Sequence, residues 1–468
     1  MCYTCALISA VNSYLMHQLN SIEKRAAIAL ALVFSSRMLG LFMLLPVFAL
    51  YGSDLAGFSP MWIGLAIGAY GLTQAILQIP LGWLSDRIGR HKVMLGGLAV
   101  FALGSVVAAL ADSVYMVTLG RVLQGAGAVA GAILALAADL TREEQRPKVM
   151  AIIGASIGLS FAVAMVLGPL LAKFAGLSGV FWATAVLACS AMLIVAFIVP
   201  RTVSKAPMAD TLALPQSLGA MLKHRQLLQL DIGVMLLHLM LTAMFVALPT
   251  LLQGYGLAPL KHWQFYLPVL LGSFVLMIPM MIVAMRKAQE KGFFMLAVAL
   301  LISAMLLLML PGFVALSCAL LLFFIGFNFL EASLPALVSR IAPAGQRGSA
   351  MGIYSSSQFF GAFLGGVVGG AIVQHFGYQA LFAVLAVIGL IWLLVANTLT
   401  IPPRAQRLSL AVSVHTELQA NQLAKQLTAL AGVQEVTLLL AEQRCYLKVS
   451  SAHFDTAQAQ AVIAAAGA

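Results

Sequence analysis

The sequence predicts an all-α membrane protein. Twelve transmembrane helices form two pseudo-symmetric six-helix bundles, and a small cytoplasmic α+β domain follows at the C-terminus. Three observations carry this. The chain of 468 residues is 62% hydrophobic and 9% charged, with a mean hydropathy of +1.01, whereas a soluble domain carries roughly 25% charged residues. So apolar a chain needs lipid as its main solvent. Its apolar residues fall into twelve runs of membrane-spanning length, and short phrases recur at an offset of 201 residues.

A run of about 20 apolar residues crosses the hydrocarbon as a helix, because only there can the backbone satisfy itself without water. The runs cover about 26–50, 60–83, 93–111, 115–139, 147–172, 178–199, 227–252, 264–285, 293–310, 313–339, 347–374 and 378–400. Residues 1–25 form a lead without the basic start and A-x-A site of a signal peptide. Met16, before HQLNSIEKR, is compatible with an over-called start. Residues 26–199 make the first bundle, 200–226 a cytoplasmic linker, and 227–400 the second bundle.

The N-terminal lead, the even-numbered connectors and the start of the tail carry nineteen Lys and Arg residues; the opposite side has only Lys173 and Lys261. Positive residues stay inside, so both termini are predicted to be cytoplasmic in a bacterial-type inner membrane. A net charge of +11 does not indicate nucleic acid here, because the basic residues punctuate apolar runs and form no single patch. Five scattered cysteines give no disulfide framework. The sequence has no Walker lysine loop and no HExxH, so it supports neither nucleotide-driven transport nor zinc proteolysis. No metal or organic cofactor is expected; the partners are the bilayer and a small molecule.

QRPKVMAI at 145–152 returns as QRGSAMGI at 346–353, with Gln, Arg, Met and Ile in register. Trp62 repeats as Trp263, Gly125 as Gly326 and Phe181 as Phe382 at the same offset; Ile-Pro and Leu-Pro pairs recur close to it. Two related halves of six spans imply a site at their interface and rocking around it.

GWLSDRIGRHK, residues 82–92, joins spans two and three. An ordinary basic loop would explain its arginines but not its glycines and lone aspartate. Gly82 lets helices approach closely, Gly89 permits a tight turn, and Asp86 suits a helix N-terminus. Gly82, Leu84, Asp86, Arg87, Gly89 and Arg90 together resemble the loop signature of the major facilitator superfamily. That resemblance implies that Asp86 meets the start of span eleven, around Gln346–Ala350, and latches the cytoplasmic side, with Arg90 pairing Asp139 at the end of span four. RVLQGAG, 121–127, resembles the family's span-four signature. Arg121 lies within snorkelling reach of the outer interface, and Gln124 beside it favours a polar interior face.

Three ionisable groups lie well inside spans: Arg37, His238 and Glu331. Such groups are costly in hydrocarbon and normally face a wet cavity with partners. Glu331 is the expected proton-coupling group, with Arg37, His238 and Arg121 as partners or tuners; a fixed interhelical hydrogen bond is the alternative. Asn328, one turn earlier, is placed to share its face. Gly158 to Gly168-Pro169 in span five resembles the antiporter signature of drug-efflux members, although the usual closing glycine pair is replaced by alanine and lysine in GPLLAK. Span eleven carries GAFLGGVVGG, which reads as a bending or close-packing helix. Phe42, Met43, Tyr70, Gln74, Gln78, Gln124, Asn328, Tyr354 and Gln358 would line a mostly apolar cavity suited to amphipathic solutes.

After Pro402-Pro403 the pattern changes to strand, helix, strand, strand, helix. Over 404–468 this order suggests a ferredoxin-like domain lacking its last strand, with Asp455 as an N-cap and with Cys445 and His453 in structural roles. With FSSRMLGLFMLLP in span one and DLTREEQRPK after span four, the tail resembles the YajR-type subgroup of the superfamily. The resemblance implies a monomeric secondary transporter driven by the proton gradient and exporting small organic compounds, with tail-mediated contacts. A proton-linked importer and a membrane sensor with lapsed transport are the alternatives.

Overall fold

The computed structural model describes residues 19–142, 145–201, 219, 221–287, 289–343, 347–401, 406–412, 417–439, 444–449 and 454–466. Most of the expected linker, the cysteines Cys2 and Cys5, and His453 lie outside them.

Helix α1, Ser21–Phe42, starts at a capping box: Glu23 N donates to Asn20 Oδ1 at 2.8 Å, and Asn20 N donates to Glu23 Oε2 at 2.9 Å. The first run was expected to continue to residue 50. The helix stops at Phe42 and resumes as the short α2, Phe48–Tyr51, because Pro46 has no N–H to carry the ladder through. Helix α3, Pro60–Ile88, is capped by Ser59. Gly89, with φ +101°, turns the chain straight into α4, Arg90–Ala109. The fourth run is also interrupted: α5, Val114–Ala126, and α6, Ala130–Asp139, are separate helices. Between them Gly127 packs so closely on α4 that a Cβ would lie 2.3 Å from the Gly97 carbonyl oxygen.

Among the described residues, ten helical segments are long and apolar enough to cross a membrane. Two are too long for one crossing. Helix α7, Arg146–Phe197, has 52 residues and α12, Arg347–Ala396, has 50, against about 20 needed. Each contains a backbone break: Gly176 has φ +62° and ψ −164°, and Gly377 has φ +79° and ψ −178°. Both conformations favour glycine, and the two glycines lie 201 positions apart. Between the two long helices run α8 (Arg225–Gly254), α9 (His262–Arg286), α10 (Glu290–Leu308) and α11 (Phe313–Ile341), close to the expected bounds.

Helix α12 is the hub of the packing. Gly361 and Gly365 lie against the Met235 and Leu239 carbonyls of α8, where a Cβ would sit 2.0 and 2.3 Å from the oxygens. Gly366 and Gly370 lie against α3, and a Cβ on Gly366 would be 2.2 Å from the Gly64 oxygen. The glycine-rich segment is thus close-packed on two faces, the second face meeting the first half of the chain. Met61 N donates to Gln374 Oε1 at 3.2 Å beside this contact. All of it lies toward the Pro60 end of α3. Toward the other end, a Cβ on Gly82 would meet nothing within 4 Å. The close approach expected at Gly82 is made within the first half, where a Cβ on Gly131 of α6 would lie 4.0 Å from the Gly82 Cα; the two halves interlock at the Pro60 end. Phe161 of α7 reinforces that seal, with ring centroids 6.4 Å from Phe245 and 5.9 Å from Phe324. Phe174, Phe197, Val314 and Phe376 are each at least 75% exposed, an apolar outer surface fit for acyl chains.

The tail has strands β1 (Gln406–Ala411), β2 (Val433–Leu439) and β3 (Arg444–Val449), with helices α13 (Glu417–Thr428) and α14 (Thr456–Ala466). The sheet order is β1-β3-β2 with both pairings antiparallel, so β3 lies between the ends of a β-α-β crossover. Leu423, Leu427, Leu447 and Val449 form its own small core. Asp455 Oδ1 accepts from Ala457 N at 2.8 Å and caps α14. Cys445 is buried in β3, which pushes its thiol up to about 12.

Candidate functional site

Two polar clusters occupy the interior, one in each half. In the second half, α8 presents His238, α11 presents Glu331 and α12 presents Gln358. Gln358 Nε2 donates to Glu331 Oε1 at 3.1 Å and lies 2.9 Å from His238 Nε2; the latter is 3.7 Å from Glu331 Oε2. His238 Nδ1 is 3.1 Å from the Val234 carbonyl oxygen, which can only accept. In the neutral imidazole that contact puts the proton on Nδ1 and leaves the Nε2 lone pair to accept from Gln358. The sequence singled out all three residues, and the fold brings them together. Asn328 turns away, donating to Ser273 Oγ of α9 at 3.0 Å.

In the first half, the expected partnership of Arg37 with Glu331 does not form. Arg37 donates through Nη2 to Gln74 Oε1, and Gln74 Nε2 donates to Gln78 Oε1 at 2.7 Å. Arg37 belongs to α1 and is held by α3, so the fold leaves it on the other side of the interface. Arg121 does not snorkel. It donates to Gln124 Oε1 at 2.7 Å, to the Ala66 oxygen at 3.3 Å and to the Ile67 oxygen at 3.5 Å, while Gln124 Nε2 donates to Ser105 Oγ at 2.8 Å. The Tyr70 ring lies between the two cations, 5.7 Å from the Arg37 guanidinium and 4.9 Å from that of Arg121.

The Asp86 end holds a charged cluster. Arg90 forms ion pairs with Asp86 and with Asp139, the latter at 3.1 Å, and donates to Ser85 Oγ at 2.7 Å. Arg87 is exposed and stacks on Trp83, its guanidinium 3.7 Å from the ring centroid. Gln346 and the Arg347 side chain, expected to meet Asp86, lie outside what the structure describes. In span five, Gly168 lets α7 approach α1, where a Cβ would lie 2.4 Å from the Met43 oxygen; Gly158 has only Phe274 near it, at 3.9 Å. Pro169 sits inside α7.

The predicted cavity lining needs correction. Met43, Tyr70, Gln74, Gln78, Gln124 and Tyr354 are all buried, Tyr70 beneath Phe359 of α12, Gln124 against Ser105 of α4 and Met43 against Gly168 of α7. Phe42, Asn328 and Gln358 keep partial exposure. Asp231 of α8 was missed although it is an acid inside an expected span, the same signal that marked Glu331. It is 5% exposed, and its Oδ1 has no hydrogen-bond partner among the described residues. Two further ion pairs were also missed. Glu23, buried, accepts from Arg142 N at 3.0 Å, from Nε at 2.8 Å and from Nη2 at 2.9 Å. Glu290 pairs with Arg340. Both pairs join residues distant in sequence, which spacing alone does not connect.

Comparison with known proteins gives a consistent result. The profile described as Major Facilitator Superfamily matches residues 30–335 and 293–441. The inner membrane transport protein YajR of Escherichia coli K12 is 44% identical over 432 residues, covering 92% of this chain and 95% of that protein. An uncharacterized transporter of Buchnera aphidicola subsp. Schizaphis graminum is 38% identical over 379 residues, 80% of this chain and 97% of that one. Among solved structures, the human organic anion transporter MFSD10 (TETRAN) superposes with a TM-score of 0.62 at 22% identity, over 81% of this chain and 100% of that one. The nucleoside transporter NupG gives 0.63 at 17% identity, over 81% and 99%. At such identities these two share the fold and nothing narrower.

Proposed function

The chain belongs to the major facilitator superfamily and is a membrane transporter, and on that premise we propose that it exports small amphipathic organic compounds in exchange for inward-moving protons. The two broken helices are read as two crossings each, giving twelve spans in two six-helix bundles. With the Lys and Arg bias placing both termini in the cytoplasm of a bacterial inner-membrane protein, the interlocked Pro60 end faces outward. The conformation described is then closed outside and open inside.

The observation that carries the proposal is the Glu331–His238–Gln358 cluster. With neutral His238, one Gln358 amide group is placed between two acceptors, the imidazole Nε2 and the carboxylate. A proton arriving on His238 Nε2 turns that acceptor into a donor, and Gln358 must let go of it. A proton arriving on Glu331 removes the negative charge and weakens the hydrogen bond that Oε1 accepts from Gln358. Gln358 belongs to α12, whose glycines interlock with α3. Protonation therefore loosens, at its inner anchor, the helix that closes the outer gate. A change of a few kcal/mol suffices to redistribute two such conformations. The charged cluster of Asp86, Arg90 and Asp139 would latch the inner gate when that side closes.

The test uses inverted membrane vesicles, acidified inside, and a panel of fluorescent amphipaths. Accumulation against the gradient is expected for the native protein, and Glu331→Gln should reduce it to the level of empty vesicles. An unchanged rate in that variant removes Glu331 from the coupling. Movement coupled in the opposite sense would establish an importer, the reading kept open by the missing glycine pair after Pro169. No movement, with ligand-dependent changes confined to the tail, would establish a sensor.

A further inference from the structure

The cluster in the first half points to a substrate class. Arg37 and Arg121 are each 1% exposed, and both face the Tyr70 ring, so less than 11 Å separates their guanidinium carbons. Arg121 is satisfied by Gln124 and two carbonyls. Arg37 is not: its Nε and Nη1 have no hydrogen-bond partner among the described residues. The Tyr70 hydroxyl is a polar neighbour of Arg37 but brings no carboxylate. No ion pair joins either arginine to a carboxylate among the described residues: Asp86 and Asp139 are taken by Arg90, and Glu331 faces His238. Two buried cations with aromatic faces and amides, and two free donor sites on one of them, form a site short of one negative charge.

We propose that Arg37, backed by Arg121 and Tyr70, holds the acidic group of an amphipathic organic anion, whose apolar body lies against Phe101 and Phe359. A carboxylate matches the vacant donors of a guanidinium by charge and by geometry. Phe101 already lies 5.7 Å under the Arg37 guanidinium, and Phe359 of α12 covers Tyr70 with ring centroids 6.2 Å apart. Phe359 is the residue next to Gln358. Release of Gln358 by a proton therefore moves the cover of the anion site, which links the two clusters through one peptide unit. This inference deepens the export reading and rests on it for the link, but not for binding.

The test is equilibrium binding to the purified full-length protein in nanodiscs, without any gradient. The ligands are phenylbutyrate, its neutral amide and phenylbutylamine, which share one body and differ in charge. The acid is expected to bind at least about tenfold more tightly than the amide, because charge-assisted hydrogen bonds exceed neutral ones, and the amine is expected to bind more weakly still. Arg37→Gln should bring the acid to the affinity of the amide, whereas Arg37→Lys should keep part of the preference. Equal binding of acid and amide to the native protein, which requires no variant to fold, overturns the proposal. So does an Arg37→Gln protein that still prefers the acid. A chloride-for-gluconate exchange that abolishes the acid's advantage would assign the site to an inorganic anion and also overturn it. Since no gradient is present, failure here leaves Glu331-dependent coupling untouched, and failure of the vesicle assay leaves this comparison standing.

Discussion

The two halves repeat each other in position and differ in charge. Arg37 and His238 are 201 positions apart; the first lies among glutamines and rings, the second beside a carboxylate. Asp139 and Arg340 are also 201 positions apart, and each pairs with a residue at the start of another helix. That residue is Arg90 in the first half and Glu290 in the second, so the ion pair recurs with its polarity reversed. A duplicated scaffold thus fixes where a polar group can be buried while leaving its chemistry open. The outcome is one cationic and one acidic cluster facing a shared seam.

That comparison can be broken most sharply on α12, which touches both halves. Gly361 packs within the second half and Gly366 against the first. Gly361→Val should lower stability by about 1–3 kcal/mol, the usual cost of overpacking, seen as a fall in apparent Tm. Gly366→Val should leave Tm nearly unchanged and open the Pro60 end instead. Disulfide formation between cysteines placed at Met61 and Gln374, in a background lacking Cys189 and Cys318, should drop at least about tenfold as the closed population falls. Identical behaviour of the two variants would show that the halves are not separate bodies.

The reversed ion pairs give a smaller, graded contrast. Arg90→Met removes the ion-pair partner of two carboxylates, Arg340→Met of one. Losses of about 1–3 kcal/mol and about 1 kcal/mol are expected for these partly buried pairs. The double exchange Glu290→Arg with Arg340→Glu should recover most of the second loss. If the exchange leaves stability at the level of the single variant, the pair contributes no specific attraction.

The smallest effect belongs to the tail, set against the membrane part. Burial raises the Cys445 thiol to about 12 in the folded domain, above the about 8.5 of an exposed cysteine. The folded tail therefore holds this proton where the unfolded tail has lost it, so its stability is intact below about pH 8.5 and declines toward pH 12. Cys445→Ala should flatten that decline. Maleimide labelling of the native protein at pH 8 should leave the buried Cys445 unmodified until the tail unfolds.

Much of this architecture was legible in the sequence because it rests on one-dimensional signals: span length and the period-two strands of the tail. Glu331, His238 and Gln358 stood out because polar groups inside apolar runs are costly. Spacing could not show which way Arg37 turns, since α1 faces both its own half and the seam. Nor could it foresee that Tyr70, Gln74 and Gln78 would be sealed, because their exposure depends on the conformation adopted. Pro46 carried a readable warning that α1 would stop early. Gly127 carried a weaker one, because its break in span four arises from contact with α4.

Gly176 and Gly377 have a consequence for how the chain is made. If each long helix crosses twice, as proposed, its two crossings are joined by a bend of one or two residues. Each bend has only a few polar neighbours, Lys173 and Ser178 at one and Gln374, His375 and Gln379 at the other. So short a connection favours entry of each pair into the lipid as a hairpin. Lengthening either bend with polar residues should allow the translocation machinery to release the members one at a time, separating biogenesis from the folding that these two glycines now tie to it.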